Sequence, residues 1–441
     1  MSQRLFKDLN ELVDANIISA ETASQIDAYY QRKSPASSNR LTATLSVLGA
    51  LLAGAGILLI VGHNWERLGK GVQTILAFTP LAIAQAFCLF ALLHRNDSQT
   101  WKEATALFLS LAIPSCIALI GQIYQVSGGL DSFLLTWVAL CLPIVYIMRS
   151  SSVSLLLIGL ITWYACLTGY NAPFSYRQLI IPYWYPATIL LLAPHYFRLA
   201  RQSPPGNAFH LHNWLFAASF AITLGIFMEK DDRLFEWLFI GYTCLFGIYL
   251  LIARLPLIKQ QKLSANPFIL IGTGGILVIF LTWSFNWLWI ELASNNQHNQ
   301  DEGFAVSITG LSLLLAWAYA YARSARKLPL TTWDIPSLSP LVFAAGVLLL
   351  KNNPIIGILL CNAWLLLLSV YYIRMGAIKD HLGILNFGLA IFASIAILRF
   401  FDSNMPFIWR GLIFLATGAG FFIANNLILR KRKRMAKNAG V

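Results

Sequence analysis

From Thr42 to Leu429 the chain is a succession of apolar runs separated by short polar joints, and this alternation leaves few folds open. A helix that crosses a bilayer needs about 20 mostly apolar residues, and in hydrocarbon only helices and closed barrels satisfy their own backbone. Runs of this kind fall near residues 43–62, 71–93, 104–124, 133–148, 153–169, 183–199, 213–228, 235–253, 267–290, 304–322, 337–350, 354–373, 382–400 and 407–429. The expected fold class is all-α, a polytopic transmembrane helix bundle of about 14 spans, or about 12 if the short runs at 133–148 and 337–350 do not cross. Composition agrees. Of 441 residues 57% are hydrophobic and 12% charged, with a mean hydropathy of +0.64, whereas a soluble domain carries about 25% charged residues. A string of soluble domains and a disordered chain are both excluded.

The ends differ from this body. Residues 1–33 read as a small soluble helical hairpin: Leu5, Leu9, Leu12 and Val13 mark one face of a first helix that closes at Asn16. Ser19 then offers an N-cap, Glu21 sits in the first turn of a second helix, and Ile26, Tyr29 and Tyr30 give it an apolar side. A hairpin this small buries little by itself, so it is expected to dock on the membrane domain, a second copy, or a membrane or cytosolic protein partner. Residues 34–42 form a linker, 43–429 the transmembrane domain and 430–441 a basic tail. No cleavable signal peptide is expected, because Asp8, Glu11 and Asp14 interrupt the opening segment and no apolar core precedes them.

The net charge of +13 is distributed as a topology signal. With fourteen spans and a cytoplasmic N-terminus, roughly 24 of the 32 Lys and Arg fall on the cytoplasmic side, which places both termini inside. The run Arg430 to Arg434 follows the last span and is suited to anionic lipid headgroups at about 1 kcal/mol per charge, rather than to nucleic acid. The six cysteines all lie inside apolar runs without CxxC spacing and read as small buried hydrophobes.

No Walker loop, HExxH, CxxC or GxSxG is present, so no catalytic residue, metal or cofactor is assigned. His210 and His212 fall in an expected cytoplasmic loop and read as a solvated pair. Glu103, Glu236, Glu291, Arg399 and Arg410 lie at span ends, where snorkelling satisfies them. His195 and several Asn and Gln side chains remain at depth, where such groups bond between helices. Three clusters stand out. His63, Asn64, Glu66 and Arg67, with Asp131, form a candidate outer-rim polar cluster. Pro80, Pro114 and Pro143 interrupt three successive spans and, with Gln122 and Tyr124, form a candidate kink or cavity lined by freed carbonyls. Arg399, Asp402 and Arg410 form a candidate ion pair.

The segments Leu9 to Ser19, His63 to Leu68, Gly121 to Gly128 with Phe133 to Trp137, and Arg399 to Asp402 with Arg410, Gly411 and the basic tail resemble a bacterial family of multi-pass membrane proteins, domain of unknown function 2157. The resemblance implies a multi-pass protein of the bacterial inner, cytoplasmic membrane and no activity. Gln125 stands where the family pattern has His, which speaks against a metal-ligand or proton-carrier role at that position. The functional expectation is a transporter-like or permease-like protein for a small or amphipathic solute. The alternative is a membrane scaffold or regulator that docks a partner through the N-terminal hairpin. A lipid or cell-wall enzyme at His63, Glu66 and Asp131 is a third reading.

Overall fold

The computed structural model describes residues 19–33, 65–170, 183–202, 206–228, 235–255, 266–294, 304–326, 335–350 and 353–400, with isolated positions besides. Isolated positions apart, the first helix of the expected hairpin, the linker 34–42, the runs 43–62 and 407–429 and the basic tail lie outside the described residues. The chain divides into two compact units. One comprises residues 1–79 with 122–124, the other 80–121 with 125–441.

Every regular element among the described residues is helical. Helix α1 (Ala20–Lys33) starts where Ser19 caps it, the Thr22 N–H donating to Ser19 Oγ at 3.1 Å. There follow a 3-10 turn (Trp65–Arg67), α2 (Lys70–His94), α3 (Gln99–Tyr124), α4 (Leu130–Ile147), α5 (Ser151–Gly169), α6 (Trp184–Ala200) and α7 (Asn207–Met228). Beyond them lie α8 (Phe235–Ile252), α9 (Pro267–Thr282), α10 (Asn286–Ser294), α11 (Phe304–Ala325), α12 (Ser339–Leu350), α13 (Pro354–Ile378) and α14 (Leu382–Phe400). Each apolar run expected between residues 71 and 400 thus coincides with helix. Among the described residues α2, α3, α4, α5 and α13 are long and apolar enough to cross a bilayer, and α9 with α10 makes a sixth candidate if counted as one bent span.

That bend corrects the single span expected at 267–290. The axis turns by 78° between α9 and α10. At the break the Ser284 and Phe285 N–H groups reach back three residues, to the carbonyls of Leu281 and Thr282, and Ser284 Oγ donates to Leu281 O at 2.6 Å. Tightening of this kind, with a side chain competing for a helix carbonyl, ends an α-helix. The freed Trp283 carbonyl accepts from Trp289 Nε1 at 2.8 Å, and both indoles are fully buried.

Three helices end on a non-glycine residue in the left-handed region: Gln125 (φ 53°), Arg149 (φ 52°) and Asp380 (φ 49°). In each case the next N–H returns five residues, Val126 to Gly121 O, Ser150 to Val145 O and His381 to Gly376 O, which satisfies carbonyls left over at the helix end. The last of these turns folds α13 onto α14. Their backbones touch, because a Cβ on Gly388 would lie 2.6 Å from Ile373 N and 2.9 Å from Ser369 O. Gly388→Val is therefore expected to cost about 2 kcal/mol, the usual range for overpacking, read as a lower unfolding midpoint in detergent.

Within the larger unit two apolar cores meet along α7. One gathers α2 to α7 around Leu134, Leu157, Ile161 and Leu192; the other gathers α6 to α14 around Phe209, Phe280, Trp283, Trp289 and Phe343. Five of the cysteines are buried and Cys166 is half-buried, all as free thiols. On α2, Ile75, Phe78, Phe87, Phe90 and Leu93 face outward, as a lipid-facing helix requires.

Candidate functional site

One cluster of polar groups in the larger unit lies where the N-terminal ends of α3, α5 and α7 meet the C-terminal ends of α4 and α6. Alternating spans bring such ends to one side of a membrane. Ser150 is the N-cap of α5, and the run Ser150-Ser151-Ser152 presents a hydroxyl and two backbone N–H groups that a helix start leaves unpaired. Glu103, at the start of the second turn of α3, takes all three. Its Oε2 accepts from Ser150 Oγ at 2.5 Å and Ser152 N at 2.9 Å, and its Oε1 accepts from Ser151 N at 2.7 Å and Gln99 Nε2 at 3.1 Å. Gln99 also donates to Arg149 O at 3.2 Å. The carboxylate is thus the anion at the N-terminus of a second helix, where backbone N–H groups and helix dipole favour it. Snorkelling at a span end, the expectation from sequence, is not its role.

One turn deeper, Ser154 bonds His212 Nε2 at 3.0 Å, and His212 Nδ1 bonds Ala208 O at 2.7 Å. His212 is fully buried, which corrects the solvated loop pair. Helix α7 begins at Asn207, several residues before the apolar run, and so carries both His210 and His212. The His195 ring lies 5.8 Å from that of His212, and Arg198 Nη2 donates to His195 Nδ1 at 2.8 Å. Beside them the Tyr196 hydroxyl donates to Asn213 Oδ1 at 2.7 Å.

The partners fix the tautomers. Arg198 can only donate, so His195 Nδ1 accepts and its ring proton sits on Nε2; the Ala208 carbonyl can only accept, so the His212 proton sits on Nδ1 and Nε2 receives the Ser154 hydroxyl. His195 is 1% exposed and Asn213 0%, yet among the described residues His195 Nε2 and Asn213 Nδ2 have no hydrogen-bond partner. Nitrogen-15 spectra of histidine-labelled protein in nanodiscs are expected to show these two opposite neutral tautomers. A proton on Nε2 of both rings would contradict the geometry.

A second polar layer lies deeper in the bundle. Tyr185 OH and Thr162 Oγ1 both bond Ser219 Oγ, at 2.7 and 2.6 Å, and Thr162 also donates to Ile158 O at 2.6 Å. Thr162 is two helical repeats from Ser154, roughly 12 Å along α5. Here every hydroxyl is paired, so the layer ties α5, α6 and α7 together and offers nothing to a ligand.

None of the described residues singled out in those three clusters takes part in these bonds. Arg67 is exposed at the end of the 3-10 turn, where Glu66 precedes it; His63, Asn64 and the Glu66 side chain lie outside the described residues. Asp131 is exposed in the first turn of α4. Pro80 is half-buried, Pro114 buried and Pro143 exposed. The carbonyl that Pro114 frees, that of Ser110, accepts from Trp137 Nε1 at 2.8 Å, so this bond joins α3 to α4. Gln122 is exposed, and Tyr124 OH lies 3.1 Å from Thr74 Oγ1. Arg399 is in the last turn of α14, while its side chain, Asp402 and Arg410 lie outside the described residues. Among the described residues no three His, Cys, Asp or Glu gather as metal ligands.

Sequence reasoning missed Glu103 and His212 as site residues. A signal existed: Ser154 and Thr162 on α5, Tyr185, Thr188 and His195 on α6, and Ser219 and Thr223 on α7 recur at helical spacing within apolar runs, and Ser150 and His212 continue two of these rows just before the runs begin.

Apolar helices of spanning length, enclosing polar groups that bond between helices, define a helical membrane protein. A family model described as "Predicted membrane protein (DUF2157)" matches residues 10–154, the region that holds the N-terminal segments, α2, α3, α4 and Glu103 with its partners. No curated protein and no solved structure matches the chain.

Proposed function

We propose that the protein is a transporter-like carrier of a small or amphipathic solute, driven without ATP. The reading places it in the bacterial cytoplasmic membrane with fourteen spans and both termini inside. The observation that supports it is the polar layer in which His195, His212 and Asn213 are buried beside the half-buried Glu103 and Arg198, with donors on His195 and Asn213 left open inside an apolar bundle. Ionisable groups enclosed by membrane helices are costly, and they mark solute and ion paths more often than they serve as mere joints. Uptake by proteoliposomes over a broad solute panel tests it, with His212→Gln as the paired variant. A solute whose flux falls with H212Q supports the carrier; flat flux across the panel would sink it.

A second reading, a scaffold or regulator, draws on α1, where Ala23 and Ile26 are only half-buried and leave part of an apolar side uncovered. Deleting residues 1–33 discriminates. A scaffold loses its partner in a pull-down from membranes, whereas a carrier keeps its flux.

A further inference from the structure

We infer that the outward seam of α2 around Gln85 is where a second copy of this chain docks, the two Gln85 carboxamides pairing across a two-fold axis. The inference goes beyond the carrier reading and does not depend on it.

Depth and exposure are the first ground. Helix α2 runs for 25 residues between the polar ends Lys70 and His94, so its midpoint is Ala82 and Gln85 stands about 5 Å from it along the axis. Hydrocarbon extends about 15 Å to either side of a bilayer's middle, further than a glutamine side chain reaches toward water. Gln85 is exposed and makes no hydrogen bond among the described residues. Thr79, also exposed on this helix, satisfies itself by donating to Ile75 O at 2.7 Å. A carboxamide brings two N–H bonds and an acceptor oxygen, and lipid tails can take neither. Lipid covers the Leu and Phe side chains of α2 but leaves this group unsatisfied.

The seam supplies the second ground. Ala82, Gln85, Ala86 and Leu89 recur at i, i+3, i+4 and i+7, and all four are exposed. The two alanines let another backbone come close enough for a glutamine to reach its partner. On the other side of the helix Ala84, Cys88 and Ala91 are buried, so α2 is already seated on the larger unit, yet it is the least enclosed of the described helices long enough to cross a bilayer. Symmetry then selects the partner. Copies of one chain inserted in one membrane share an orientation, so a two-fold axis along the membrane normal sets α2 beside its counterpart in parallel, with both Gln85 side chains at one depth. Each amide N–H donates to the other carbonyl, and one polar residue in an apolar seam fixes the register of the pair. The chain's own run at 43–62 carries only Thr44 and Ser46 as polar side chains, with no carboxamide to reciprocate.

The test uses the full chain, carrying one fluorophore per copy, in liposomes of phosphatidylcholine and phosphatidylglycerol at falling protein density. Counting photobleaching steps in single vesicles gives the dimer fraction and its dissociation constant. Wild type is expected to be a dimer that dissociates on dilution. Gln85→Leu should weaken it by about tenfold, the loss that follows an interhelical hydrogen-bonded pair. Folding is not at risk in Q85L, because the change makes a membrane-facing position more apolar. Ala86→Trp, which holds the backbones apart, should weaken the dimer at least as much, whereas Leu359→Ala, at an exposed position of α13, should leave it unchanged. In membranes a short bis-maleimide should join two copies through Leu89→Cys and not through Ile83→Cys, an exposed position on another side of α2, with the native thiols as the blank. Monomers at every density, equal dissociation constants for Q85L and wild type, or equal cross-linking by L89C and I83C overturn the inference. So does an L89C thiol that joins Val47→Cys within one chain, since the run 43–62 then covers the seam.

Discussion

Glu103→Ala is expected to lower stability by about 3 kcal/mol, because it strips an anion from the start of a helix that has no other cap of comparable strength. The Ser150 hydroxyl and the Ser151 and Ser152 N–H groups all donate to this one carboxylate. Ser150 Oγ itself reaches only Val153 N, at 3.3 Å, so it cannot take over the other two donors. Glu103→Gln should fall between wild type and alanine, since one amide oxygen can still accept while the NH2 group meets donors. Both variants are to be measured by thermal unfolding in nanodiscs. Hydrogen exchange should show the loss concentrated in the first turn of α5. Equal stability of wild type and E103A would mean that water replaces the carboxylate.

Trp289→Ala is expected to cost about 4 kcal/mol, the range for emptying a buried aromatic site. Its ring is fully buried, stands at 89° to Trp283 with centroids 5.2 Å apart, and its Nε1–H occupies the carbonyl freed at the helix break. Gly357 on α13 is the other wall: an added Cβ would come 2.6 Å from the indole Cζ2. Gly357→Val should therefore be destabilising on its own, and the double variant G357V/W289A less so than the sum of the two, because each change relieves the other's fault. Unfolding midpoints of the three variants in one detergent decide it. Strict additivity would mean that the indole and the glycine are not in contact.

How much of this was legible beforehand differs by element. The helices at 71–93, 104–124 and 153–169 were plain from apolar length, and α3 ends where Gly121 to Gly128 turns polar. The break in 267–290 was not, because Trp283, Ser284 and Phe285 are compatible with a continuing helix. What stops it is the fit of two indoles into the core beside Phe343 and Gly357. For the candidate site, the polar spacing along α5, α6 and α7 was readable, but the role of each residue was not. Glu103 and Ser150 are 47 residues apart, and His212 and Ser154 are 58 apart. At Pro114 the freed carbonyl, that of Ser110, is taken by Trp137 of the neighbouring helix, a pairing that nothing near Pro114 in sequence announces.

The sequence by itself determined that the chain is helical and belongs in a bilayer. Hydrocarbon rewards apolar length and forbids unpaired backbone, and both conditions are met locally, residue by residue along one run. Only the tertiary structure decided which end groups pair, which histidine nitrogen carries its proton, and that His195 and Asn213 are left with donors to offer. Those outcomes depend on side chains brought together by helix packing, where the direction of each hydrogen bond is set by its partner and by nothing nearby in sequence.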